Sequence, residues 1–110
     1  MSVKARIKWL RMTPRKVRII ANEVRGKDVQ VAIDFLTFCK KSAARPILKL
    51  VKSAVANADQ KGTLDPDTLY VSEILVDSGP TMKRWMPRAR GSATPILKRS
   101  SKVSLTLSER

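Results

Sequence analysis

A chain of 110 residues has material for one hydrophobic core and not two, and an apolar share of 43% with only 5% aromatics means that Leu, Ile, Val and Ala must fill it. With no histidine and a single cysteine, Cys39, an internal disulfide, the usual soft-ligand metal sites and His-assisted nucleophilic catalysis are excluded. The formal net charge of +14 points instead to a polyanionic partner.

That charge is unevenly placed. Residues 1–18 carry seven Lys or Arg and no acid, residues 19–78 carry eight of each sign, and residues 79–110 carry eight basic residues and one acid. A neutral middle between two cationic ends is more than solubility requires, because mixed signs would give solubility with less self-repulsion.

Taken in chain order, Val3, Ala5, Ile7 and Trp9 alternate with Lys4, Arg6 and Lys8, the period of a half-buried strand with one basic face. Thr13 and Pro14 then supply a helix cap and first-turn proline, and Val17, Ile20, Ala21 and Val24 continue at helical spacing up to Gly26, with Arg15, Arg18 and Arg25 on a common flank. Asp28 caps a second short helix with Val29, Ala32, Ile33 and Leu36 as its apolar stripe; Cys39, beside Phe35, Leu36 and Phe38, reads as a small buried hydrophobe. A third helix begins at Ser42, tolerates Pro46 in its first turn, and runs along Ile47, Leu50, Val51, Ala54, Val55 and Ala58 to Gly62. A turn at Asp65 and Pro66 leads into residues 68–78, where Tyr70, Ser72, Ile74 and Val76 alternate with Leu69, Val71, Glu73 and Leu75, read as a central strand. Residues 103–107 alternate again and form its antiparallel partner. The expected fold is α+β, three helices packed on a small three-stranded antiparallel sheet, in a single domain.

Between the last two strands lies GPTMKRWMPRARGSATPILKRSSK, residues 79–102, with seven basic residues and no acid. A hairpin turning near residues 90–93 has legs of about ten residues that project roughly 30 Å at about 3.3 Å per residue. Its apolar side chains, Met82, Trp85, Met86, Ile96 and Leu97, are too few to hold an isolated ribbon, so this long protruding β-hairpin arm needs a partner to order fully. Trp85 stands among Lys83, Arg84, Arg88 and Arg90, where its ring either packs on the strand beneath or offers an unpaired base a stacking surface.

Enzymatic chemistry finds no support. The acids Asp59, Asp65 and Asp67 surround a helix end and a turn, where Asp serves caps, and four glycines form neither a GxGxxG nor a GxxxxGK[ST] cradle; no cofactor is implied. No apolar run approaches the roughly 18 residues of a membrane span, and the N-terminal residues lack the apolar h-region of a secretory signal, so the cytoplasm is the expected compartment. Two other polyanion binders fit the charge. One is an architectural DNA-binding protein that uses the arm as a minor-groove ribbon; the other is a protein drawn to anionic lipid, which would need a basic helix with a bulky apolar face.

The segments RMTPRKVRIIANEVRGKDVQVAIDFL at 11–36, KKSAARPILKLVKSAVANA at 40–58 and MKRWMPRARGSATPILKRSSK at 82–102 together resemble the family of bacterial ribosomal protein twenty-two of the large subunit, over nearly the whole chain. The resemblance implies a structural constituent of the large ribosomal subunit that binds large-subunit rRNA of the 23S type, supports subunit assembly, and lines the peptide exit tunnel with its hairpin. It implies neighbouring ribosomal proteins and the nascent polypeptide as further partners, with no membrane and no homo-oligomer. The implied tunnel-lining tip is Met86, Pro87, Arg88, Ala89, Arg90, Gly91, Ser92 and Ala93, and Lys98, Arg99 and Ser100 match the returning leg. Ser92 stands where the family commonly has a basic residue, which bears on a phosphate contact at the tip. Lys102 stands where histidine is common, which keeps or raises the positive charge. The residues expected to contact rRNA are Lys4, Arg6, Lys8, Arg11, Arg15, Lys16 and Arg18 from the N-terminal surface, and Lys83, Arg84, Trp85, Arg88, Arg90, Lys98, Arg99 and Lys102 from the arm and its root.

Overall fold

The computed structural model describes residues 2–62, 66–87, 91 and 93–109. In chain order they form strand β1 (Ser2–Leu10), helices α1 (Pro14–Val24), α2 (Val29–Phe38) and α3 (Ala44–Lys61), a 3-10 turn (Pro66–Thr68), and strands β2 (Leu69–Ser78), β3 (Met82–Pro87), β4 (Ala93–Lys98) and β5 (Ser101–Glu109). Strands β1, β5 and β2 make an antiparallel sheet in that spatial order, and β3 pairs with β4 alone. The α+β architecture expected from the sequence is what the chain adopts.

The helices begin and end where local chemistry dictates. Pro14 fills the first position of α1, where its missing N–H costs nothing, and Gly62 closes α3 in the left-handed region at φ 68°, with its N–H donating to the Asp59 carbonyl. The first α3 residue is Ala44 rather than Ser42, because residues 41–44 form a turn closed by the Ala44 N–H on the Lys41 carbonyl; Pro46 stays within the first helical turn. The α1, α2 and α3 stripes meet β1, β2 and β5 in one cluster made only of Val, Leu, Ile and Ala. Phe35 stays at its margin under Lys27, whose ammonium lies 5.3 Å from the ring centroid, and Phe38 turns outward at 83% exposure. Cys39 is half-buried against the same cluster.

Two irregularities break the strand alternation. On β1 the pairing advances from Ile7↔Val103 to Leu10↔Ser101, three residues against two, so Trp9 swings out to 52% exposure and Leu10 packs inward in its place. On β2 the pairing passes from Val71↔Leu107 to Glu73↔Thr106, which switches the inward set from Leu69 and Val71 to Ile74 and Val76. Neither alternating set seen in the sequence is inward throughout. A second correction concerns strand order: the central strand is β5, whose Val103, Leu105 and Leu107 are fully buried, and β2 is an edge.

An unpaired edge carries exposed carbonyls that would template pairing with another chain, and here α1 and the turn after it close it. The Gly26 N–H donates to the Val71 carbonyl and the Val71 N–H to the Lys27 carbonyl, both at 2.9 Å. Further along, Arg25 donates to the Ile74 carbonyl at 2.7 Å, and Arg18 places Nε (3.2 Å) and an Nη (2.9 Å) on the Val76 carbonyl. The opposite edge is treated similarly, with Asn57 on the Lys4 carbonyl and Lys61 on that of Ser2. Replacing Arg18 with Ala removes a forked charged donor from a part-buried carbonyl and is expected to cost about 1 to 2 kcal/mol, read as a lower urea midpoint at unchanged m value. Wild-type stability in that variant would mean that solvent satisfies Val76 equally well.

The arm leaves the sheet at a jointed root. Three residues, 79–81, oppose two, 99–100, between Ser78↔Ser101 and Met82↔Lys98. The Gly79 N–H donates to the Ser100 carbonyl (2.9 Å), the Ser100 hydroxyl to the Pro80 carbonyl (2.5 Å), and the Ser101 hydroxyl to the Met12 carbonyl (2.6 Å). Both serines are buried. Beyond the root, six residues of each leg pair, from Met82↔Lys98 to Pro87↔Ala93. The longest axis of the molecule is 64 Å against 25 and 17 Å for the others, and its radius of gyration of 17.1 Å exceeds the roughly 13 Å of a compact chain of this length.

Candidate nucleic-acid interface

The basic residues singled out from the sequence fall on three surfaces. The first is the sheet face opposite the helices. There Lys4, Arg6 and Lys8 of β1 stand exposed beside a middle row of half-buried hydroxyls, Ser104, Thr106 and Ser108 of β5, with Lys102 at its end. Glu73, Leu75 and Asp77 occupy the β2 side of the same face, so the cationic half is the β1 half. A shallow cleft of about 350 Å3 is lined by Arg6, Ile7, Lys8, Asp77, Lys102 and Ser104. Strand geometry accounts for the array, since alternate residues project to one side and small hydroxyls on the central strand leave neighbouring Lys and Arg stems room to lie down.

The second surface is the arm. Lys83, Arg84, Trp85, Met86, Leu97 and Lys98 are all exposed, and Trp85 keeps 66% of its area in solvent. Pairing of Lys83 with Leu97 and of Trp85 with Pro95 places Lys83, Leu97 and Trp85 on one face; Arg84 and Met86 take the other, where Arg84 donates to its own neighbour's carbonyl at Lys83 and to the Met82 sulfur. The ring of Trp85 is therefore not consumed by packing within the chain. Of the tip residues, Gly91 has φ 74°, a left-handed turn conformation that suits glycine; Arg88, Ala89, Arg90 and Ser92 lie outside the described residues.

The third surface was not visible as such in the sequence. At the arm root Arg11 and Met12, Thr13 and Lys16 of α1, Ser42 and Ala43 before α3, and Leu97, Lys98 and Arg99 line one cleft of about 280 Å3. Residues up to 88 positions apart in sequence thus converge, and no acid is among the described residues that line the cleft. Lys41, whose place here no local sequence pattern marks, lies on the adjoining groove. Arg15 is exposed on α1, and Arg18, grouped with these cations from its position on the helix, is committed by its guanidinium to the Val76 carbonyl.

Gly79 sets the arm's departure. A Cβ there would meet the Ser100 hydroxyl oxygen at 2.6 Å, and Ser100 is held by Pro80 in a buried position. Gly79→Ala is expected to destabilise the protein by about 1 to 3 kcal/mol, and adding Ser100→Ala should recover part of that loss by removing the obstructing atom. Strictly additive losses in urea unfolding would show that the two positions do not meet.

Against this geometry, comparison with known proteins is decisive. The family described as ribosomal protein L22p/L17e matches residues 5–108. The chain belongs to that family. The proteins named large ribosomal subunit protein uL22 from Myxococcus xanthus and Lawsonia intracellularis are 51% and 50% identical to it, each over 99% of this chain and 97% of the relative. The one from Syntrophotalea carbinolica is 47% identical over the full length of both. The aligned length thus takes in the sheet, all three helices and the arm of this uL22-family chain.

Proposed function

We propose that this uL22-family protein is a structural, non-enzymatic constituent of the large ribosomal subunit, that it binds large-subunit rRNA, and that its arm lines the peptide exit tunnel. The observation that carries the reading is a cationic hairpin projecting from a body with two further basic surfaces, in a chain matching the family over residues 5–108. Lys4, Arg6, Lys8 and Lys102 meet phosphates across the open sheet face; Arg11, Arg15, Lys16 and Arg99 do so around the root; Lys83, Arg84, Arg88, Arg90 and Lys98 do so along the arm. Trp85 stacks on an unpaired base, and Arg18 reaches RNA only through the N–H groups that Val76 leaves over.

The tip, Met86 to Ala93, faces the tunnel lumen and the nascent polypeptide, and the arm braces RNA segments during subunit assembly. Neighbouring ribosomal proteins complete its surroundings in the cytoplasmic particle, where it acts as one copy and not as a homo-oligomer. Among the described residues no helix is long and apolar enough to cross a membrane. The architectural DNA-binding alternative is separated by competition: the proposal expects folded large-subunit RNA to displace duplex DNA from the purified protein at about 0.1 to 0.2 M salt, where charge contacts remain measurable. Preference for the duplex would overturn it.

A further inference from the structure

The root cleft does not end at its cations. It shares Lys16, Ser42 and Ala43 with a second hollow of about 320 Å3 whose other lining residues are Ile19 and Lys41. The two form one groove with a chemical gradient. At the arm end four cations, Arg11, Lys16, Lys98 and Arg99, stand with Thr13 and Ser42 and with the apolar Met12 and Leu97; at the far end the wall is Ile19, Ala43, Ser42 and the alkyl stems of Lys16 and Lys41. Ile19 is 45% exposed on α1, while its neighbours Val17, Ile20 and Ala21 are buried in the core. The core therefore does not account for an isoleucine at that position.

We propose that this groove is a receptor for a single unpaired RNA nucleotide, with its phosphate among Arg11, Lys16, Lys98 and Arg99 and its base against Ile19. The inference rests on the RNA-binding reading above and adds the kind of RNA element received. Phosphate recognition alone explains the cationic end and leaves the apolar end unexplained. A duplex presents phosphates and sugars outward and keeps its bases stacked, so a ligand that fills both ends has its base free. The hollows of about 280 and 320 Å3 leave room for a phosphate at one end and a base at the other.

The body side of the groove is also fixed before binding. Met12 is held by its N–H on the Leu10 carbonyl (2.8 Å) and by Ser101 on its own carbonyl, and Ala43 is 4% exposed beside the turn closed by Ala44 on Lys41. A preorganised groove loses little ordering entropy on binding. Because Lys98 and Arg99 belong to the arm while Lys16 and Ser42 belong to the body, a nucleotide seated there clamps the arm to the body in one direction.

The test uses the full-length protein and large-subunit rRNA carrying sparse 4-thiouridine. Irradiation should crosslink a nucleotide to the peptides containing Ile19 or residues 41–43, and that nucleotide should lose reactivity toward single-strand probes when protein is bound. Ile19→Ser should lower affinity about fivefold with the salt slope unchanged, and Lys16→Gln should lower the slope by about one. Ile19 is exposed, so thermal unfolding of its variant should match wild type and exclude misfolding as the cause.

If Ile19→Ser binds as tightly as wild type while Lys16→Gln still lowers the slope, the groove holds a phosphate only and the nucleotide receptor is refuted. If arm-dependent RNA binding persists with neither variant having an effect and no crosslink in those peptides, the groove is solvated and the inference fails while the RNA-binding function stands. If the wild-type protein does not bind large-subunit RNA, both fail together.

Discussion

Replacing residues 83–99 with a short turn is expected to weaken binding to large-subunit RNA more than any other single change. The segment contains six cations, Lys83, Arg84, Arg88, Arg90, Lys98 and Arg99. Each phosphate neutralised contributes roughly 0.7 to 0.9 to the slope of log affinity against log salt, so the slope should fall by up to about four to five. Between about 50 and 200 mM salt that difference amounts to as much as roughly a thousandfold in affinity. The fold should survive, because β3 and β4 pair with each other and, among the described residues, the buried cluster draws on none of theirs. Unfolding of the shortened protein at the wild-type urea midpoint checks that point. An unchanged slope in a folded protein would show that the arm does not touch RNA and that the sheet face and root carry the binding alone.

Leu105→Ala should have the largest effect on stability. Leu105 lies on the central strand, paired with Ala5 on one side and Ile74 on the other, and is fully buried. Removing its side chain opens a cavity in the cluster that the helices share with the sheet, whose described buried members include no aromatic ring that could swing over to fill it. Such truncations cost about 2 to 5 kcal/mol, a large part of the roughly 5 to 15 kcal/mol that holds a domain folded. A drop of one molar or more in the urea midpoint is the expected reading, at about 1 to 3 kcal/mol per molar for small proteins. Thr106→Ala, one residue away on the open face, should change it little. RNA at about 100 times its dissociation constant should restore about 2.7 kcal/mol to the Leu105 variant by mass action. If the two substitutions cost the same, the burial assigned to β5 is wrong.

The helices were legible because a 3.6-residue stripe needs only local spacing and local stops: Pro14, Gly26 and Gly62 bracket α1 and α3 nearly where their patterns begin and end. The strands were legible as strands but not in their facing. One extra residue near Trp9 and another near Ser72 reverse the alternation, and the sequence carries no mark of either because pairing register is decided across the sheet. The place of β5 between β1 and β2 was hidden for the same reason. The arm was plain from seven cations without an acid. Arg18 and Arg25 looked like their neighbours on the α1 flank, and only tertiary placement shows them spent on the β2 edge. The root groove is the least legible feature of all, since its two ends come from three separate segments that meet only after folding.

The position of β5 has a consequence for the order in which the molecule is made. Ser2 pairs with Ser108 and Val3 with Leu107, so β1, synthesised well before β5, waits for it before its backbone finds a neighbouring strand. The β2 strand waits for the same segment. Until then β1 and β2 have only the helices to pack on, and the strand between them is missing. The cations of the arm, Lys83 to Arg99, are synthesised before β5, so a newborn chain can meet RNA before its own sheet has closed.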